Sequence, residues 1–175
     1  QKDEILTYDD FNKNDIIILP PNCNIDKKIK IDFFANARSM MEMNYSVIKS
    51  YFDFIQRYSH ENTFFLNINR YEKTSMGFPI RISEYPYDNN WKVIISKPSF
   101  NQDWIHFLLT KRVLKIDDSN IIEELDYIKK IGEKFYRNPD EYKPKHVFLK
   151  KIFRKVLKMF LGVKFINILG NFLFK

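Results

Sequence analysis

A chain of 175 residues, 45% apolar and 29% charged, holds enough material for one domain of ordinary size but not comfortably two. Its net charge of +7 is not a property of the whole: nine Lys/Arg and no acid lie from Lys143 onward, leaving the rest slightly acidic. The single cysteine, Cys23, excludes an internal disulfide and a Cys-based zinc site and reads as a small residue at a strand end. A reducing, cytoplasmic compartment fits this usage, and the opening residues are not expected to be a signal peptide, since Lys2-Asp3-Glu4 is charged and no apolar region follows.

Asp15 to Leu19, a β-branched run closed by two prolines, predicts a buried strand and a stop. Ile29 to Ala35 predicts a second strand, apolar on both faces as a covered parallel strand would be. A polar corner follows at Asn36-Ala37-Arg38-Ser39. Asn44 then caps a helix over Tyr45 to Tyr58, whose Ile48, Tyr51, Phe52, Ile55 and Tyr58 recur at three- and four-residue spacing. Thr63 to Ile68 predicts a third strand, again ending in polar residues. Strand, corner, helix, strand, corner is the βαβ unit of an open α/β sheet, in which ligands bind at the corners beyond the strands.

Glu72 to Asn90 carries Gly77, Pro79, Pro86 and Asp88-Asn89-Asn90 and predicts a long loop, a lid or substrate loop. Trp91 to Ser99 and Asp103 to Val113 predict an antiparallel hairpin. Ile121 to Tyr136 predicts a helix capped by Ser119 or Asn120 and ended by Asn138-Pro139. The expected organisation is a domain over residues 1–136 and a separate tail over 137–175. In that tail, Phe148, Leu149, Ile152, Phe153, Val156, Leu157 and Phe160 form an apolar stripe opposite Lys150, Lys151, Arg154, Lys155 and Lys158. This basic amphipathic helix has the pattern of a membrane-interface helix, and residues 145–174 are the expected membrane-surface contact. A helix docked on the domain or on a partner stands equally open. No base-reading motif accompanies the basic residues, so no nucleic acid partner is expected.

Few groups in the chain can carry chemistry. At the first corner stand Asn36, Arg38, Ser39 and Glu42. Glu42 can serve as a base toward a hydroxyl, and Asn36 or Ser39 can hydrogen-bond a cofactor or sugar. Each also has an ordinary role, Ser39 as a cap, Arg38 in a surface ion pair and Glu42 against a helix dipole. At the second corner are Asn67, Asn69, Arg70 and Tyr71. Asn67 and Asn69 share one side of the strand, so buried they must either grip a neighbouring loop or face a cleft. His106 is either a hydrogen-bonded structural histidine or a general base. Three dispersed histidines without clustered carboxylates give no metal signature. Four unpaired glycines exclude G-x-G-x-x-G and P-loop motifs.

The ordered runs DFFANARSMMEMNYSVIKSYFDFIQ, FFLNINRY, EYPYDNNWKVIISKPS and HFLLTKR resemble the C-terminal half of the sugar O-methyltransferase family, over roughly Asp15 to Arg112. The resemblance implies a bacterial enzyme of surface polysaccharide or glycoconjugate biosynthesis. It implies S-adenosylmethionine as cofactor and a sugar or glycan as substrate. The implied fold is a partial Rossmann-like methyltransferase sheet ending in an antiparallel hairpin. On that basis Glu42 is the expected base, with His106 second. Asn36, Arg38 and Ser39 would line the cofactor side, and Asn69, Arg70 and Tyr71 would contact the sugar. The family's Gly-rich cofactor loop and its acid after the second strand are absent here. They are expected before Gln1, and without them the chain would not bind the cofactor productively. A non-catalytic α/β module docked through the tail is the alternative. A glycosyltransferase would call for a D-x-D-like motif, which the sequence lacks.

Overall fold

The structure, a computed structural model, describes residues 5–19, 23–74, 78–100 and 102–137. The elements run β1 (Ile5–Leu6), α1 (Tyr8–Lys13), β2 (Asn24–Ile25), β3 (Phe33–Ala37), α2 (Tyr45–Tyr58), β4 (Phe64–Arg70), β5 (Glu72–Thr74), β6 (Pro79–Arg81), β7 (Trp91–Pro98), β8 (Ile105–Arg112) and α3 (Ile121–Gly132). They build a mixed α/β fold with a four-stranded mixed sheet in the order β3-β4-β8-β7, flanked by the small pairs β1-β2 and β5-β6.

The unit β3-α2-β4 forms as its pattern predicts. Asn44 lies in extended backbone, and its side chain accepts from the Val47 N–H at 3.0 Å, which satisfies an otherwise orphaned helix donor. Ile48, Phe52, Ile55 and Tyr58 form the buried stripe of α2. β3 and β4 pair in parallel from Phe33↔Phe64 to Ala37↔Ile68. β4 then pairs antiparallel with β8, and β8 with β7, the expected hairpin. A bulge at Ile94 shifts the register between Val93 and Ile95 and leaves Ile94 and Ile95 both exposed.

Several expectations need correction. Asp15 to Leu19 is not a strand, and Ile16 and Ile18 are 83% and 93% exposed. A β-branched run is not held extended without a ladder partner, and none of the described strands pairs with it. The strand expected over Ile29 to Ala35 is β3, which starts and ends later. Ile29 packs instead with Ile25 and Tyr58 in a small side cluster, and the Ile31 N–H is held by the Tyr58 carbonyl at 2.9 Å. β3 is also an edge strand with Phe33 53% exposed, not a strand covered on both faces. The strand expected over Thr63 to Ile68 runs on to Arg70. The helix expected to reach Tyr136 ends at Gly132 and closes in a 3-10 turn over Glu133–Phe135.

The largest correction concerns Glu72 to Asn90. It is no lid. It folds into the β5-β6 pair and a 3-10 turn, Ile82–Glu84, and it delivers Ile80, Ile82, Tyr85 and Tyr87 into the core. These aromatics meet Phe52 edge-on, with ring centroids 5.9 Å from Tyr85 and 4.7 Å from Tyr87. Proline and polar residues mark this segment as loop in sequence, but its alternating Ile and Tyr residues are buried by the helices around them.

α2, α3 and the aromatic segment all pack on one face of the sheet, where Phe65, Leu108 and Trp91 join Ile48, Phe52, Ile121, Leu125 and Ile128. The start of α3 is tied down by side chains. Asn120 does not cap it but accepts from the Val93 N–H at 2.7 Å, while Ser119 donates to the Trp91 carbonyl at 2.6 Å. The opposite face presents the exposed Phe33 and the partly buried Leu66, Ile68, Phe107 and Leu109, and neither α2 nor α3 covers it. The basic tail lies outside the described residues.

Candidate functional site

The first corner stands at the carboxyl end of the parallel pair. Arg38 leaves β3 with φ 62°, a left-handed backbone that a residue with a Cβ adopts only when its surroundings impose it. The Arg38 N–H donates to the Ile68 carbonyl at 2.7 Å, and a 3-10 turn over Met40–Glu42 follows. Met40 and Met41 are buried, so this turn is pinned to the core while Arg38 and Glu42 stay at the surface.

A chain of amides fixes the turn from below. Asn67 and Asn69 are both fully buried, on the one side of β4 that the alternation predicts. The Asn67 amide donates to the Tyr87 hydroxyl at 3.2 Å. Asn69 donates to the Asn67 carbonyl oxygen and, at 2.9 Å, to that of Asn36. Asn69 Oδ1 accepts from the Met41 N–H at 3.3 Å, and Asn36 donates to Ser39. Of the two readings of this asparagine pair, the loop grip is what the geometry shows. Burial raises the Tyr87 hydroxyl pKa, so this end of the chain stays protonated in ordinary buffers.

Glu42 forms an ion pair with Lys73 of β5. Lys73 carries no mark in the sequence as a partner of Glu42; only the placement of β5 beside the Met40–Glu42 turn brings it there. Arg70 falls on the other face of β4 from Asn69, and its Nε is buried with no hydrogen-bond partner. Asn36, Ser39 and Asn69 are therefore brought together, with Arg38 and Glu42 on the adjoining turn, and Arg70 is separated from them.

Tyr71 and His106 belong to a second network. His106 is 0% exposed. Its Nδ1 meets the Tyr71 hydroxyl at 2.9 Å and its Nε2 the Ser96 Oγ at 2.8 Å, while Ser96 donates to Glu124 of α3. The directions are forced. The Ser96 proton goes to the carboxylate, so Ser96 accepts from Nε2–H, and the lone pair on Nδ1 accepts from Tyr71. Desolvation lowers the His106 pKa to about 4, which keeps the ring neutral as this pattern requires. Burial, reinforced by Tyr127, Asp103 and Glu124, pushes Tyr71 up to about 12. The Tyr71 ring stacks on Phe135 at 5.1 Å and sits against Gly132, where a Cβ would lie 2.8 Å from its Cδ1. His106 and Tyr71 thus stand behind the corner, in the helical layer. Ser96 and Glu124 were not singled out in the sequence, because the bulge and the helix register that place them are tertiary.

Comparison with family models, with curated proteins and with solved structures gave no match to this chain. Among the described residues, no cluster of His, Cys, Asp and Glu is arranged to hold a metal, and no helix is long and apolar enough to cross a membrane.

Proposed function

We propose that this chain carries the acceptor side of a sugar O-methyltransferase, with the corner Asn36 to Glu42 as its reactive edge. The observation that carries the reading is the placement of an exposed carboxylate, Glu42, on a turn at the carboxyl end of two parallel strands, locked by buried asparagines. A helical crossover between parallel strands followed by an antiparallel hairpin also agrees with the resemblance in the sequence. The finer Rossmann-like assignment belongs to this proposal.

S-adenosylmethionine, when bound, supplies an electrophilic methyl group. The described residues do not by themselves fit that cofactor: the Asn36 amide is committed to Ser39 and Asn69, and no Gly-rich turn stands beside it. The chemistry assigned to the chain is therefore confined to the acceptor. Glu42 takes the proton of a sugar hydroxyl as its oxygen becomes a nucleophile, and Lys73 holds the carboxylate in place. Glu42→Gln in the full-length protein is expected to cut methyl transfer at least tenfold with cofactor affinity intact. Unchanged turnover removes Glu42 from the mechanism.

The half-exposed apolar sheet face favours a second reading, a non-catalytic α/β module that docks to a biosynthetic complex or membrane surface. Calorimetry with S-adenosylmethionine on the full-length protein separates the two. Heat of binding with methyl transfer to a glycan supports the enzyme; neither one supports the module.

A further inference from the structure

At the opposite end of the sheet from the corner lies an open cavity of about 450 Å³. Its lining includes Lys92, Lys111, Arg112 and Lys115, with Glu61 and Asp118 as the acids. Lys92 and Lys111 are direct partners across the antiparallel β7-β8 ladder. Like charges placed opposite each other there are destabilising, and a strand pair selected for stability alone would not keep them. None of the ion pairs among the described residues engages Lys92, Lys111 or Lys115. Arg112 is different: it is paired with Asp88 and lies over the Trp91 ring, so it belongs to the wall.

The floor is rigid. Arg112 N–H donates to the Thr63 carbonyl at 2.7 Å, Asn62 N–H to the Arg112 carbonyl at 3.2 Å and Val113 N–H to the Asn90 carbonyl at 2.9 Å. The Asn90 side chain adds bonds to the Val113 and Leu114 carbonyls at 3.2 and 3.3 Å. Asn62 turns the chain with φ 75°, a conformation that asparagine tolerates better than most residues. Three lysines without ion-pair partners thus line a space whose backbone is fixed: Lys92 and Lys115 are exposed, and the Lys111 ammonium lies 6.0 Å from the centroid of the Phe64 ring. Lysine is a point charge suited to phosphoryl oxygens. The volume exceeds what a bare phosphate fills and lies in the range of small-molecule sites.

We infer that this cavity binds a phosphorylated small molecule, with Lys92, Lys111 and Lys115 holding its phosphoryl group. The site is independent of the corner and of the activity proposed there. Removing the unfavourable Lys92–Lys111 pair should therefore stabilise the free protein while destroying binding.

The test is thermal and chemical unfolding of the full chain with inorganic phosphate, a hexose 1-phosphate or a nucleoside monophosphate, each against chloride at matched ionic strength. A ligand at ten times its dissociation constant lowers the unfolding constant about elevenfold. The expected result is saturable stabilisation beyond chloride. The most effective of the three probes identifies the organic part. In Lys92→Glu, which places opposite charges across the ladder, the anion-free melting temperature rises and the ligand effect falls to that of chloride. No stabilisation beyond chloride from any probe, or an undiminished effect in Lys92→Glu, overturns the site. The basic tail is intact in both proteins, so it cannot account for a difference between them.

Discussion

The chain Tyr87–Asn67–Asn69–Asn36 and the chain Tyr71–His106–Ser96–Glu124 are built on the same face of one sheet, yet they are made from opposite chemistry. The first is amide, carries no charge and holds a surface turn in place. The second contains a buried imidazole and ends on a carboxylate, and it ties β7, β8 and the residue that follows β4 to α3. Both satisfy polar groups that would otherwise be costly to bury. Only the second makes that satisfaction depend on pH. An amide chain suits a corner that must keep its shape, whereas the imidazole chain makes the docking of a helix sensitive to acid.

That contrast can be broken first by pH. His106 titrates near 6.5 when unfolded and near 4 when folded, so the unfolded state binds more protons between those values. The stability that His106 contributes is complete above about pH 6.5, is lost progressively as pH falls and levels off below about pH 4. The expected loss is about 3 kcal/mol. Denaturant titrations at several pH values, followed by the fluorescence of buried Trp91, should show it, and His106→Gln should flatten that part of the slope. An unchanged slope in the variant would mean that the imidazole is not the acid-sensitive element.

Asn69→Ala sharpens the other side. It strips partners from Asn67, Asn36 and the Met41 N–H. The expected cost is about 2 kcal/mol, the same at pH 5 and pH 7 because no titrating group is involved. A cost that varied with pH would couple the two networks. The smallest expected effect is that of Gly132→Ala. The new methyl meets Tyr71, which cannot swing away freely because Phe135 stacks on it. A loss of about 1 kcal/mol is expected, with a shift in the Tyr71 ring resonances and none in the Asn69 side-chain amide. Loss of the Asn69 amide signal would again join what the structure keeps apart.

Much of the framework was legible because it is local. Asn44 followed by apolar residues at helical spacing marks a helix whatever surrounds it, and two aromatic and β-branched runs around a polar turn mark the hairpin. The order strand, corner, helix, strand was read for the same reason, although β3 runs on through Asn36 and Ala37 and the corner begins only at Arg38. The strand over Asp15 to Leu19 failed because extended backbone needs a neighbour, and no one-dimensional pattern reports whether a neighbour exists. The segment Glu72 to Asn90 failed in the opposite sense. Its Pro and Gly content describes its turns, while its burial is decided by α2 and α3.

The site divides along the same line. The sequence alone determined that Asn67 and Asn69 share a side of their strand, since alternation is a property of the backbone. It also placed Arg38, Ser39 and Glu42 on one short turn, whereas Asn36, expected there too, is the last but one residue of β3. Only the tertiary structure decided that the asparagines bind each other and the turn, that Lys73 meets Glu42, and that His106 lies between Tyr71 and Ser96. Periodicity sets the direction of a side chain, but its hydrogen-bond partner depends on which distant segments pack there.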